Sequence, residues 1–281
     1  MSLRIRQDSL LLKEPEEMVG RILRFLRDYL DKAGASVFVL GMSGGLDSCV
    51  TGALCARAVG GRRVLGIYMP EKEMRTEASF NDASVVARKF QIKFEIIDLT
   101  TLVAAALSTL PDLSQPRNRV PYGNVKARLR AMVLYYMANR EHGIVVGTGD
   151  KSEMMLGYFT KYGDGACDLL PLADLYKTTV GRLARYLGLP ERIYSKPASP
   201  ELWSRQTAKA ELGLEYEQLD AILWGLERWM SSTDIAIDTG LSVKIVEDIR
   251  ARWVRSEHKR RPPLTLKSGY RTVGADMRLP F

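Results

Sequence analysis

The stretch 37–51, VFVLGMSGGLDSCVT, constrains this chain more than any other. Val37, Phe38, Val39 and Leu40 make a short apolar run of the kind that forms a fully buried strand. Gly41, Gly44 and Gly45 then end the strand abruptly and let other atoms come close to the backbone. A helix opens near Asp47 and Ser48, so its unpaired N–H groups and positive dipole end face the bend. Strand, glycine-serine bend and helix N-terminus together make a phosphate cradle. The chain contains no G-x-x-x-x-G-K-[ST], and the bend is not G-x-G-x-x-G. A plain turn with Asp47 as N-cap is the simpler reading, but capping requires neither the double glycine nor the leading Ser43.

A chain of 281 residues, 46% apolar, can bury the core of one large α/β domain with an extension. It has no apolar run of about eighteen residues, so no membrane span is expected. The N-terminal residues lack the apolar core of a signal peptide. Cys49, Cys55 and Cys167 form no C-x-x-C pair, which excludes a cysteine zinc site and fits a reducing cytoplasm. The net charge of +8 favours polyanionic partners, a condition that nucleic acid and polyphosphorylated nucleotides meet equally well.

Periodicity predicts strands at 37–40, 64–69, 94–97 and 144–146, alternating with helices at 14–33, 47–59, 76–90, 99–110 and 124–140. Residues 111–122, with three prolines, read as a surface loop. Such alternation predicts an α/β fold with a parallel sheet and helices on both faces; a sheet of five strands is expected, four of them located by these runs. Ligands of these sheets sit beyond the carboxyl ends of the strands, so 41–48 and 147–153 should share one rim. The chain reads as one domain over 1–281, with an α/β core at 14–190 and a helical extension and basic tail at 191–281. In that extension, helices are expected at 214–230 and 243–254.

Asn124 and Arg128 share a helical face, in reach of a phosphate or carboxylate, although a core helix with solvated arginines fits the same pattern. Glu153, one turn into the helix after the fourth strand, lies opposite Asp47 and would complete a two-carboxylate magnesium site; it would equally complement the helix dipole. Lys177, Ser199 and His258 read, on local pattern alone, as a surface lysine, a turn hydroxyl and a solvated histidine.

The bend S-G-G-x-D-S resembles the PP-loop of ATP pyrophosphatases, enzymes that split ATP between its α and β phosphates. GMSGGLDS, GNVKAR, GTGDKSE, FTKYGDGACDLLPL, LYK, KPASPELW, QTAKAELG and EHKRRPP occur in that order. Together they resemble the ammonia-using NAD synthetases over roughly residues 15–263. The resemblance implies an adenine nucleotide alpha-hydrolase-like, Rossmann-like fold. It also implies ATP as co-substrate, Mg²⁺ as metal, and amidation of deamido-NAD with ammonia through an adenylate. Gly41, Met42, Ser43, Gly44, Gly45, Leu46, Asp47 and Ser48 would hold the phosphates, with Arg130, Thr148, Lys177 and Ser199 also at the ATP. Asp47, Glu153 and Ser199 would be metal ligands. Asp47, Lys177, Ser199 and Asp168 would be the catalytic set, Asp168 as a base for ammonium. Asn124, Arg128, Lys161, Asp168, His258 and Lys259 would line the deamido-NAD site, in a homodimer. Loops around 76–82 and 200–210 should close over the adenylate. A separate glutaminase remains an open source of ammonia. Asp150 stands where asparagine or histidine is frequent, and Ala208, Lys209 and Ala210 interrupt an acidic cluster, leaving the contacts near Gln206 open.

Two other readings stand beside this one. A PP-loop tRNA thiolase would need paired cysteines or an RNA-binding domain. A helix-turn-helix at 234–253, with Gly240 at its turn, would make the chain a nucleic-acid binder, but Val243, Ile245, Val246 and Ile249 suit packing better than base reading. Neither nucleic acid nor membrane is therefore expected as a partner.

Overall fold

The computed structural model describes residues 4–6, 9–10, 14–72, 76–111, 118–203, 206–273 and 276–277. Strands β1 (Val37–Gly41), β2 (Val64–Tyr68), β3 (Lys93–Ile96) and β4 (Gly143–Val145) are all parallel and stand in the order β3-β2-β1-β4. Phe38 of β1 lies between Val64 and Ile144 of its two neighbours. The helices are α1 (Pro15–Lys32), α2 (Leu46–Val59), α3 (Glu77–Lys89), α4 (Thr100–Ser108), α5 (Arg119–Arg140), α6 (Lys151–Leu156) and α7 (Lys177–Tyr186). They continue with α8 (Glu191–Tyr194), α9 (Ala208–Leu212), α10 (Tyr216–Glu227), α11 (Ser232–Thr239) and α12 (Val243–Arg255).

Alternation along the strands sorts the sheet into two faces. Phe38, Leu40, Val64 and Tyr68 pack in one core with residues of α1, α2, α3 and α7. Val37, Val39, Leu65 and Ile67 pack in another with residues of α4 and α5. The stripe Val19, Ile22, Leu26 and Leu30 explains why α1 lies on the first face: spacings of three and four put all four side chains on one side.

The expected fifth strand is not formed among the described residues; the sheet has four. After β4 the chain returns beside that strand and makes one parallel bridge, Val146 to Leu169. The Asp168 N–H donates to the Val145 carbonyl and the Gly147 N–H to the Leu169 carbonyl, each at 2.9 Å. Pro171 follows at once and has no N–H with which to extend a ladder, so the fifth position stays a single bridge. The loop expected at 111–122 is also shorter at its far end, because α5 already starts at Arg119. Pro121 sits in its first turn, where a missing N–H costs nothing. Residues 112–117 of that loop, and 204–205 of the expected closing loop, lie outside the described residues. Glu77 onward is helix, so most of the expected 76–82 loop is the first turns of α3.

The extension has a core of its own. Met155, Leu156 and Tyr176 meet Leu219, Ile222, Leu223, Ile235, Val246 and Ile249 there. α11 and α12 do form a helix-turn-helix around Gly240, whose φ of 70° is left-handed. Its second helix buries Val246 and Ile249 in this core.

Candidate active site

The bend after β1 is held in shape from both sides. Gly44 has φ 83°, and a Cβ there would stand 2.1 Å from the Ser79 carbonyl oxygen, so no larger residue fits. Ser43 Oγ accepts from the Gly45 N–H at 3.2 Å, and the Ser48 hydroxyl donates to the Gly45 carbonyl at 3.0 Å. Lys196 Nζ donates to the Gly44 carbonyl at 2.6 Å and reaches Asp82 at 3.2 Å, itself paired with Arg192. No side chain caps α2 behind Gly45, so the first amides of that helix stay open toward the bend.

Beside the bend, Lys177 at the start of α7 brings its ammonium within 2.6 Å of Asp47, 2.7 Å of Asp150 and 2.7 Å of Glu153. These residues come from three strand-to-helix or loop-to-helix junctions on one rim, as the topology requires. Burial disfavours the charge of Lys177, but Asp150, Asp47 and Glu153 outweigh it and hold its pKa well above that of an ordinary lysine. Burial, and then the nearby Asp150, push the Glu153 carboxyl well above its usual range. Burial raises Asp150 likewise, against the pull of Lys177.

The lysine is fixed from beneath by an arrangement that local pattern did not reveal. The Lys177 N–H donates to Ser152 Oγ at 2.9 Å, and the Ser152 hydroxyl donates in turn to Asp220 of α10. The other Asp220 oxygen accepts from the Thr178 N–H at 2.9 Å. Asp150 also caps α6, accepting from the Glu153 N–H at 2.9 Å. Its position before K-S-E was the available signal, since an aspartate there caps a helix. Asp220 has no such signal, lying far away in sequence on a helix of the extension.

The carboxylate oxygens of Asp47, Asp150 and Glu153 lie within 4.8 Å of one another, and Asp47 Oδ1 is buried without a hydrogen-bond partner. Three hard oxygen donors so placed suit a magnesium ion. Ser199 lines the same cavity but is exposed, and its Oγ accepts from the Glu201 N–H at 3.1 Å.

The bend and the charged group open into one cavity of about 1190 Å³. Gly41, Met42, Ser43, Gly45, Leu46, Ser48, Arg130, Thr148, Asn124 and Lys259 line it along with Asp47, Glu153 and Lys177. Arg130 donates no hydrogen bond among the described residues, and burial lowers its pKa against nearby Glu71 and Glu201. Around the cavity mouth, Asn124 Oδ1 accepts from the Thr160 hydroxyl at 2.6 Å, and Lys259 Nζ donates to the Gly157 and Phe159 carbonyls at 2.8 and 2.7 Å. Arg128 donates to the Lys161 carbonyl at 3.3 Å, and Lys161 Nζ to the His258 carbonyl at 2.8 Å, outside the cavity lining. Asp168 also stands outside the lining, accepting from the Tyr135 hydroxyl at 3.3 Å and the Val145 N–H at 2.8 Å. Burial pushes the Cys167 thiol up to about 11, which leaves it a poor nucleophile. The contacts left open near Gln206 resolve into a chain: Gln206 donates to Glu211 at 2.9 Å, and so does the Tyr158 hydroxyl.

Residues 18–263 match a family model described as NAD synthase. An NH(3)-dependent NAD(+) synthetase of Aeropyrum pernix is 46% identical over 244 residues, 86% of this chain and 85% of that protein. Another, of Methanosarcina acetivorans, is 42% identical over 248 residues, 88% of this chain and 96% of that protein. The solved structure of an NMN synthetase from Francisella tularensis superposes with a TM-score of 0.79 at 32% identity, covering 90% of this chain and 99% of that one.

Proposed function

This chain belongs to the NAD synthase family, and from that premise we propose how its cavity carries out the ATP-dependent amidation with ammonia that yields NAD. The triphosphate lies on the bend 41–48, where Ser43, Ser48 and the open amides of α2 meet its oxygens. The pyridine carboxylate of deamido-NAD forms a bond to the α-phosphorus while the bond from that phosphorus to the bridging oxygen breaks, and pyrophosphate leaves. Lys177 offsets the charge that accumulates on the leaving group. Ammonia then adds to the acyl carbon, AMP departs with the electron pair, and the nitrogen loses its extra proton as the amide forms. A magnesium ion held by Asp47, Glu153, the neighbouring Asp150 and Ser199 would supply further charge compensation for the phosphates. Deamido-NAD is read by Asn124, Arg128, Lys161, His258 and Lys259, with Asp168 as the candidate base for ammonium. Residues 14–190 serve as the catalytic core, and 191–281 as the extension that closes the cavity.

The outer face of α5 supports a two-fold homodimer. Met132 and Tyr136 are 53% and 64% exposed there, close to Arg128 and the deamido-NAD group. No helix among the described residues is long and apolar enough to cross a membrane, and the three cysteines are free, which supports a cytoplasmic setting.

One observation carries this reading: the Lys177 ammonium held by three carboxylates beside a glycine-locked bend. The test is product formation from ATP, ammonium and deamido-NAD, with nicotinate mononucleotide as competing acceptor. NAD, AMP and pyrophosphate are expected in equal amounts, with Asp47→Ala abolishing all three. ADP and orthophosphate in their place would refute the mechanism.

A further inference from the structure

The peptide that joins Gly44 to Gly45 sits in the middle of the bend, and neither residue has a side chain to fix it. A peptide unit is planar and trans, so its carbonyl and its N–H point to opposite sides. The two sides have different partners. On one, the Gly44 carbonyl accepts from Lys196 Nζ at 2.6 Å; on the other, the Gly45 N–H donates to Ser43 Oγ at 3.2 Å. Ser43 and Gly45 line the cavity, so the N–H is on the side that the phosphates would occupy.

Turning this peptide over would carry φ of Gly45 from −75° to a positive value, which glycine tolerates. A carbonyl oxygen would then face the cavity, and it would repel phosphate, whose own oxygens are acceptors too. The local chain therefore offers little preference between a donor and an acceptor at this place. Lys196 supplies one, because an ammonium donates and never accepts. Its Nζ is held 3.2 Å from Asp82 of α3, a buried carboxylate that Arg192 of α8 pairs with at 2.6 Å.

We propose that Lys196 is a positioning residue: it anchors the Gly44 carbonyl so that the Gly45 N–H stays turned to the cavity as a phosphate donor, with Asp82 holding the ammonium in place. The inference rests on the phosphate reading of the bend given above. Its task differs from that of Lys177, which offsets charge directly, whereas Lys196 acts through a backbone group.

The test uses whole protein made with glycine carrying ¹³C at the carbonyl and ¹⁵N at the amide. The sequence holds two Gly-Gly pairs, Gly44-Gly45 and Gly60-Gly61, so carbonyl-to-amide transfer in NMR shows these two peptides, the second as internal control. Magnesium pyrophosphate is then titrated in. In wild type the Gly45 amide proton should move downfield at saturation while that of Gly61 stays. In Lys196→Met the Kd for pyrophosphate and for ATP should rise by about tenfold or more, the worth of one hydrogen bond to a charged group. The Gly45 amide should then fail to move downfield even at saturation. Weaker binding with the Gly45 shift retained would mean that Lys196 meets phosphate by its charge alone, and would overturn the inference. So would unchanged affinity in the variant, or an unmoved Gly45 amide in wild type that does bind pyrophosphate. If Lys196→Met does not fold, Asp82→Asn is read in the same way, with losses expected in the same direction. Failure of wild type to bind either pyrophosphate or ATP would overturn the phosphate reading of the bend, and this inference with it.

Discussion

A methyl group at position 44 would stand 2.1 Å from the Ser79 carbonyl, on a residue whose φ is already left-handed. Gly44→Ala should therefore cost about 1–3 kcal/mol from backbone strain alone, with the clash in addition. Thermal unfolding measures that loss, and ATP binding should fall with it as the start of α3 is displaced. Asp220 provides a test with a sign. Burial pushes its carboxyl from 3.8 up to about 6, so between those values the folded chain binds more protons than the unfolded one. Its contribution to stability therefore declines as pH rises through that window and is constant above it. In matched melts without ligand, the Tm of Asp220→Asn should rise more, or fall less, from pH 4 to pH 6 than that of wild type. These residues also show what the sequence could reveal. Ser43, Gly44, Asp47 and Ser48 are contiguous, and their chemistry is visible in one motif. Asp220 acts on Thr178 across 42 positions, and no local pattern marks an acceptor that serves another helix. Asp150 was visible as an exception to the family pattern; its ion pair with Lys177 needed the fold.

Among the elements, α5 carries the most distinct duties. Its inner face buries Ala127, Ala131, Met137 and Ala138, its start lends Asn124 and Arg130 to the cavity, and its outer face leaves Met132 and Tyr136 uncovered. Tyr136→Glu on that outer face should shift the protein from dimer to monomer in analytical ultracentrifugation with little change in the melting of the isolated fold. An unchanged sedimentation profile would remove this face from the interface. Strands β1, β2 and β4 are legible because each is a short apolar run closed by glycine or proline, while β3, half charged and exposed, is legible from its place in the strand–helix alternation. The count of five is not: the sequence holds four such runs, and the structure adds only the single bridge from Val146 to Leu169. The start of α5 was misplaced because Pro121 reads as loop punctuation, yet a helix accepts it in the first turn.

At the scale of the molecule, the helical extension and the sheet share one site, since α10 holds the start of α7 through Asp220 and Ser152. They should therefore unfold together. The four tryptophans, Trp203, Trp224, Trp229 and Trp253, all lie beyond residue 200, so their fluorescence reports the extension while far-ultraviolet circular dichroism reports the whole. The two melting curves are expected to coincide, and Leu223→Ala, at a fully buried site, should lower both by the same amount, about 2–5 kcal/mol. Curves that separate would show two independent units. Lys177 ties this integration to restraint. Its ammonium is already enclosed by the three acids a divalent ion would claim, like a plug kept in its own socket. One cation thereby ties the junction after β1 to the junction after β4, and loosening any of the three acids should be felt at both.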